Sequence, residues 1–242
     1  MSGALRPNRL ESIARRLARE LEGVSFPDPV AFVYNPLRYA FAPYRRYVRR
    51  YGTPPKEVLL VGMNPGPWGM AQTGIPFGEV QAVRDWMGIT APVDRPPVLH
   101  PKRPVAGFAC PRREASGRRL WGFAARIGPA EEFFRRFFVL NYCPLLFFDR
   151  AGANLTPDRL PAAAALPLFE ACDRALARSV AFLAPQAVVG VGRFAAARVR
   201  AVLGGRGVRL GVLPHPSPAN PAARRGWEEQ ARAALGELGV RC

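Results

Sequence analysis

The sequence predicts an α/β fold, a parallel sheet with helices on both faces, on two observations. Four short apolar runs, at 58–61, 137–140, 187–192 and 208–213, have the length and content of buried strands, and the first is stopped abruptly by Gly and Pro. Segments with helical spacing separate them, and that alternation builds a parallel sheet.

In chain order, Leu10, Ile13, Leu17 and Leu21 recur at helical spacing among arginines and glutamates, so an amphipathic helix opens the chain. Asn35-Pro36 reads as N-cap and first turn of a second helical stretch, interrupted at Pro43. It carries Tyr44, Tyr47 and Tyr51 on a core face, with Arg45, Arg46, Arg49 and Arg50 on a solvated one. After the first strand come a stiff Gly- and Pro-containing loop and a short helix at 80–86. The Pro-rich stretch 90–111, with His100 and Lys102, reads as an ordered surface loop. Ser116 is expected to cap a helix running to 127. Further helices are expected at 161–183, 194–203 and 222–238. The expectation is one domain over 1–242, with a helical extension at about 1–28.

With 242 residues and 49% hydrophobic content, the chain has ample material for a core. Its net charge of +17 is the dominant compositional fact, and a surface that basic attracts polyanions, with nucleic acid the expected partner. Only Lys56 and Lys102 are lysines, so the remaining 33 of the 35 basic residues are arginine; part of that skew fits coding bias in an Ala- and Arg-rich proteome. No window looks transmembrane and no apolar leader is evident, so a cytoplasmic protein is expected. Cys110, Cys143, Cys172 and Cys242 form no C-x-x-C pair, which argues against a zinc ribbon or an iron-sulfur cluster and leaves buried thiols as the default. No metal and no cofactor are expected.

Open parallel sheets bind ligands beyond the carboxyl ends of their strands. The strand ends deliver Asn64, Asn141 and His215 to one crevice, Asn64 within the rigid loop Gly62-Met63-Asn64-Pro65-Gly66-Pro67-Trp68-Gly69-Met70. That loop, the downstream Gly-Met-Ala-Gln-Thr-Gly-Ile-Pro-Phe-Gly-Glu, and His215-Pro216-Ser217-Pro218 closely resemble the single-strand-selective monofunctional uracil-DNA glycosylases of the uracil-DNA glycosylase superfamily. His100-Pro101-Lys102-Arg103-Pro104, Asn154-Leu155-Thr156-Pro157, Gly190-Val191-Gly192-Arg193 and the stretch from Asn220-Pro221 to Gly226-Trp227 extend the likeness over most of the chain from about residue 30, as a bacterial-type member.

The resemblance implies a three-layer α/β/α fold with a four-stranded parallel sheet, and hydrolysis of the N-glycosidic bond of uracil in single- and double-stranded DNA, with the base flipped into a pocket. It makes Asn64 the residue that places the attacking water and His215 the donor to uracil O2. Asn141 would read the base edge, Phe77 would stack on the base, and Met63, Gly66 and Met70 would complete the base site. Gly66 stands where thymine-excluding members carry a bulky aromatic, which implies 5-hydroxymethyluracil and related oxidised pyrimidines as further substrates. Ser217, Pro218, Ala219, Arg224 and Arg225 are the implied DNA contacts. At 219 the better-known members place an arginine that fills the gap left by the flipped nucleotide, whereas this chain has alanine.

A lyase needs an amine for a Schiff base. Lys56 precedes the first strand, at the far end of the sheet, and Lys102 lies in a Pro-rich loop, so a monofunctional enzyme is expected, the terminal amine being the remaining candidate. Glu79 and Asp85 are more simply read as helix-start carboxylates than as general acids or bases. Two rivals remain: a dinucleotide-dependent enzyme, on Gly190-Val191-Gly192-Arg193-Phe194-Ala195, and a non-catalytic basic nucleic-acid module. DNA association in a bacterial nucleoid, as a monomer and away from membranes, completes the expectation.

Overall fold

The computed structural model describes residues 8–224 and 226–242, without the side chains of Ala222 and Arg224. Its centre is a four-stranded parallel sheet in the order β3-β2-β6-β7, built from β2 (Val58–Gly62), β3 (Phe137–Asn141), β6 (Ala187–Val191) and β7 (Arg209–Leu213). All four expected strands are present within a residue or so of their expected ends. Every residue of β2 and β6 is buried, as a strand covered on both faces requires, whereas β7 is the partly exposed edge. The register pairs Gly62 with Asn141 and Val191 with Leu213, so these strand ends lie level and the loops beyond them share one rim.

The helices that flank the sheet complete the three-layer α/β/α architecture. α1 (Arg9–Glu20) is capped by Asn8, whose Oδ1 accepts from Leu10 N at 2.8 Å and whose amide donates to Val48 O at 3.0 Å, tying it to the following layer. Asn35, expected as an N-cap, makes no cap bond; its Nδ2 instead donates to Ala18 O at 3.3 Å, behind α2 (Pro36–Tyr39). The break before α3 (Phe41–Tyr51) falls at Ala40, and Pro43 sits inside the first turn of α3, where its missing N–H costs no helical bond. Tyr44, Tyr47 and Tyr51 are buried as expected; Tyr47 Oη bonds Val139 O of β3 at 3.0 Å.

A short helix α4 (Met70–Thr73) follows the β2 loop, and the helix expected at 80–86 is present, with π-helical geometry over Ala82–Trp86. α5 (Ala115–Ile127) is capped by Glu114, not by Ser116: the Glu114 carboxylate accepts from Ser116 N at 3.2 Å and Gly117 N at 2.7 Å. α6 (Ala130–Arg136) leads directly into β3. A small antiparallel sheet of β1 (Phe32–Tyr34), β4 (Leu146–Phe148) and β5 (Asn154–Leu155), absent from the sequence reading, braces the loop between β3 and α7 (Ala162–Leu183). α8 (Arg193–Leu203) packs so closely on β6 that a Cβ on Gly190 would lie 2.2 Å from Ala196 N. α9 (Trp227–Gly236) starts five residues later than expected because Gly226, at φ +70, interrupts the chain after a 3-10 turn.

Cys143 and Cys172 are buried, but Cys110 is partly exposed and Cys242 exposed, so the expectation of buried thiols holds for two of the four. Among the described residues no helix is long and apolar enough to cross a membrane.

Candidate active site

Residues 63–69 leave the end of β2 under tight control. The amide of Gln72, itself buried, donates to Pro67 O at 2.9 Å and Pro104 O at 3.0 Å, and its Oε1 accepts from Ala106 N at 2.8 Å. Asn64 Nδ2 donates to Leu145 O at 3.1 Å. A carbonyl can only accept, so that bond fixes the amide's orientation and leaves Oδ1 as an acceptor for the space in front of it. That space is a cavity of about 350 Å³ lined by Met63, Asn64, Gly66, Phe77, His215 and Ser217, within the size range of small-ligand sites.

His215 is held as firmly. Three consecutive carbonyls of its segment are clamped from three directions: Pro214 O by Trp227 Nε1 at 2.7 Å, His215 O by Asn220 Nδ2 at 2.9 Å, and Pro216 O by Arg119 Nη1 at 2.8 Å. Ser217 N donates to His215 Nδ1 at 3.1 Å, so Nδ1 is the acceptor and the neutral ring carries its proton on Nε2. Burial lowers the imidazole pKa from its ordinary value by penalising the charged form. The result is a neutral N–H donor of fixed direction.

Gly192, at φ +91, lets the ring approach: a Cβ there would lie 3.2 Å from His215 Cβ and 3.3 Å from Cδ2. The glycines of the Gly190–Ala195 motif therefore serve α8 packing and the histidine, and the position where a dinucleotide phosphate would meet the second glycine is taken by His215.

Asn141 and Met70 do not line that cavity. They border a separate, smaller void of about 40 Å³, lined in part by α1 residues Ile13, Ala14 and Leu17. Asn141 Nδ2 donates to Met70 Sδ at 3.3 Å, and its Oδ1 is buried with no partner. Such an orphan acceptor costs about 1–3 kcal/mol until something donates to it. Asn141 and Phe77 come together over Gly62: a Cβ there would lie 2.4 Å from Asn141 Oδ1 and 2.6 Å from Phe77 Cε2. Phe77 occupies a left-handed backbone conformation, φ +52, that side chains rarely adopt, and its carbonyl accepts from Trp121 Nε1 at 2.9 Å. Its ring centroid lies 6.3 Å from that of His215. The larger cavity thus gathers one aromatic face, one aimed N–H donor and one acceptor, while the unsatisfied acceptor of Asn141 lies beside the Phe77 ring but outside that cavity's lining.

Pro218 and Ala219 are exposed at the rim and do not line the cavity. The Arg224 side chain and Arg225 lie outside the described residues. Glu79 is buried, accepts from Ala82 N at 2.9 Å and pairs with Arg113, and Asp85 pairs with Arg84 at 2.7 Å, both the structural roles read from sequence. His100 is structural too, bonded at Nε2 to Arg150 O at 3.1 Å and at Nδ1 by Lys102 N at 3.0 Å. Lys56 is buried, donates to Phe134 O, and has its pKa lowered to about 8 by burial. It lies beyond the opposite end of β2, a five-residue strand about 16 Å long.

The sequence reading missed Glu114, which lines the cavity together with Ser116, Asn154 and Thr156. Burial raises its carboxyl pKa to about 7, against the lowering effect of the Gly117 and Ser116 bonds. A carboxyl with a raised native pKa stabilises the fold fully below its unfolded value and loses that contribution as pH rises through the folded one. Glu114→Gln is therefore expected to remove a fall in stability between about pH 4.5 and 7. Parallel thermal melts of the two proteins across that range check this; identical pH slopes would show that Glu114 does not titrate there.

Residues 49–237 match the family model described as the Uracil DNA glycosylase superfamily. The chain is 53% identical over 228 residues to the single-strand selective monofunctional uracil DNA glycosylase of Mus musculus, covering 93% of this chain and 82% of that one. It is 54% identical to the Rattus norvegicus protein of the same description, with the same coverage. The Bos taurus protein is 51% identical, covering 93% and 84%. Among solved structures, SMUG2 of Pedobacter heparinus superposes with a TM-score of 0.67 at 17% identity, covering 94% of this chain and 98% of that one, a likeness of fold alone. A family model spanning most of the chain, and relatives sharing half its residues over nearly its whole length, leave one conclusion: the chain belongs to the uracil DNA glycosylase superfamily.

Proposed function

We infer that this protein is a monofunctional uracil-DNA glycosylase, which hydrolyses the bond between deoxyribose and uracil in DNA and leaves an abasic site. The observation that carries the reading is the orphaned Oδ1 of Asn141 beside the Phe77 ring, a ring that lines one cavity with the His215 donor and the Asn64 acceptor. A base inside a duplex is inaccessible, so the target nucleotide is flipped out or taken from a single strand.

Uracil stacks on Phe77. Asn141 Oδ1 accepts from N3–H while the amide's second N–H donates to O4, a pairing that cytosine reverses. His215 Nε2–H donates to O2. As the C1′–N1 bond breaks, its electron pair moves onto the base and the negative charge growing at O2 meets a donor already in place. The water oriented by Asn64 Oδ1 bonds to C1′ and gives its proton to solvent, because an amide cannot take one. An oxocarbenium-like sugar tolerates that weak base. Neither lysine is placed to form a Schiff base, since Lys56 is at the wrong end of the sheet and Lys102 is exposed in a loop away from the cavity lining; the terminal amine lies outside the described residues.

The proposed substrate range includes 5-hydroxymethyluracil and related oxidised pyrimidines, with Gly66 leaving the C5 side free of a ring. Proposed DNA contacts are Ser217, Pro218, Ala219, Arg224 and Arg225, acting on single and double strands. The relatives' printed names support single-strand selectivity. The described core is continuous from α1 to α9, which supports a single domain; a monomer is part of the proposal. A bacterial-type member that associates with the nucleoid through DNA binding is part of the proposal only, and the curated relatives described above are mammalian. Against the dinucleotide reading stands His215 over Gly192; against a non-catalytic module stands the aimed set of donors and acceptors.

The test is a single-turnover assay on a uracil-containing oligonucleotide, with and without alkali. Abasic sites that break only on alkali treatment are the expected outcome; no released uracil refutes the reading. Gly66→Tyr is expected to suppress excision of 5-substituted uracils more than of uracil, by steric exclusion. The β-carbon is accommodated, at 3.6 Å from Glu114 Oε1, so the ring and not the backbone is the obstacle. Equal losses on both substrates would point to general disruption of the loop.

A further inference from the structure

The glycosylase chemistry leaves the buried thiols of Cys143 and Cys172 without a part, yet Cys143 reaches the Asn64 segment from two sides. Its backbone N–H donates to Met63 O at 2.8 Å, one step beyond the bond from Tyr142 N to Gly62 O at 2.9 Å. The pairing of β2 with β3 thus runs past both strand ends, up to the residue before Asn64. Its side chain binds the residue after next: Sγ accepts from Leu145 N at 3.4 Å and donates to Leu145 O at 3.7 Å. Leu145 O is the carbonyl that accepts from Asn64 Nδ2 at 3.1 Å. Pro144, between them, has no N–H, so Leu145 N is the first main-chain donor the segment offers after Cys143. Cys172, on α7, hydrogen-bonds to Cys143 in turn; burial raises its thiol pKa well above the ordinary value and keeps it a protonated donor.

We propose that Cys143 is a positioning residue for the hydrolytic step, which sets the direction of the Asn64 amide through Leu145 and so the place of the attacking water. The proposal rests on the reading of Asn64 as the residue that orients that water. A hydrogen bond aims a side chain only as well as its acceptor is itself held. Beyond Leu145 the chain is fixed by β4, whose pairing starts at Leu146 opposite Tyr34; before it, the side-chain hold is the Cys143 thiol. Cys143 is fully buried and does not line the cavity, so it acts on the water only through the peptide and the amide. A loosened Leu145 lets the amide tilt, and the water then spends less time in line with C1′. Asn141 keeps its place, because its register opposite Gly62 does not depend on the sulfur. The loss therefore falls on the rate at saturation and not on binding. A thiol suits the task, being a weak donor and acceptor that costs little to bury among apolar neighbours.

The experiment measures uracil excision under single-turnover conditions across enzyme concentrations, which separates the maximal rate from the half-saturating concentration. Wild type is compared with Cys143→Ala, Cys143→Ser, Asn64→Ala and the double variant Cys143→Ala/Asn64→Ala, and each protein is melted in parallel. Cys143→Ala is expected to lower the maximal rate by about three- to tenfold, the scale of one hydrogen bond, with the half-saturating concentration unchanged. Cys143→Ser keeps a donor and an acceptor and is expected to recover most of that rate even if its melting temperature is lower than that of the alanine variant. The double variant should be no slower than Asn64→Ala, because the two residues act as one unit. If Cys143→Ala does not fold, Cys143→Val, which fills the space of the sulfur without a donor, takes its place. A native maximal rate in the apolar variant, a serine variant slower than the alanine one, or independent losses in the double variant would each reduce Cys143 to core packing and overturn the proposal. Asn64→Ala at the wild-type rate would instead overturn the role of Asn64, and a wild type that releases no uracil would overturn the glycosylase reading itself.

Discussion

Replacing His215 by alanine is expected to slow single-turnover uracil release by about 10²- to 10³-fold, the cost of removing one pre-aimed donor from a developing anion. DNA affinity should be largely retained, because the segment does not depend on the imidazole for its course. Trp227, Asn220 and Arg119 hold the carbonyls of Pro214, His215 and Pro216, and all three bonds survive the truncation. The donor is neutral: Ser217 N–H occupies Nδ1, and burial lowers the pKa. The excision rate is therefore expected not to decline as pH is raised above neutrality, whereas a charged imidazolium donor would be lost there. A rate that falls tenfold per pH unit above 7 would contradict the neutral tautomer, and a variant that keeps wild-type single-turnover rates would remove His215 from the chemistry.

Much of this architecture is written in local patterns. The strands at 58–62, 137–141 and 187–191 are short apolar runs with clear stops, and burial on both faces needs no more specific code than that. Asn64, Asn141 and His215 follow from the same logic, since each stands at or just beyond a strand end. The missed elements have local signals that compete or are too brief. β1, β4 and β5 have two or three residues each, too few to show an alternation. The run Glu-Glu-Phe-Phe-Arg-Arg-Phe-Phe-Val-Leu passes from helix to strand without a glycine or proline, so α6 could not be separated from β3 by pattern.

Glu114 was hidden for a different reason. In sequence it is a lone acid in an arginine-rich loop, which reads as surface, and Ser116 two residues later is a conventional cap. Only the fold brings Gly66 and Gly69 against it and turns its carboxyl into a cavity. The Met70 thioether on Asn141 is equally tertiary: 71 residues separate them, and no spacing rule connects a sulfur with an amide at that range.

Asn64→Ala is expected to cost roughly 10²-fold in single-turnover rate, the scale set by losing the orientation of one reactant, with little change in binding to uracil-containing DNA. The side chain makes one bond to the protein, Nδ2 to Leu145 O, so its removal leaves a carbonyl that water can satisfy and does not unravel the loop, which Gln72 holds independently. Asn64→Asp sharpens the test. A carboxylate could take a proton from the water, but it would also face Leu145 O acceptor to acceptor, at a contact that measures 3.1 Å in the native protein. That repulsion favours the protonated acid, which can donate to Leu145 O as the amide does. The aspartate variant is therefore expected to be least active near and below neutrality and to gain activity as pH rises and the acid ionises, a profile that neither the native protein nor the alanine variant should show. An alanine variant with the native rate would place the water elsewhere in the cavity. An aspartate variant with no pH dependence of its own would mean that Leu145 O does not constrain the group at position 64.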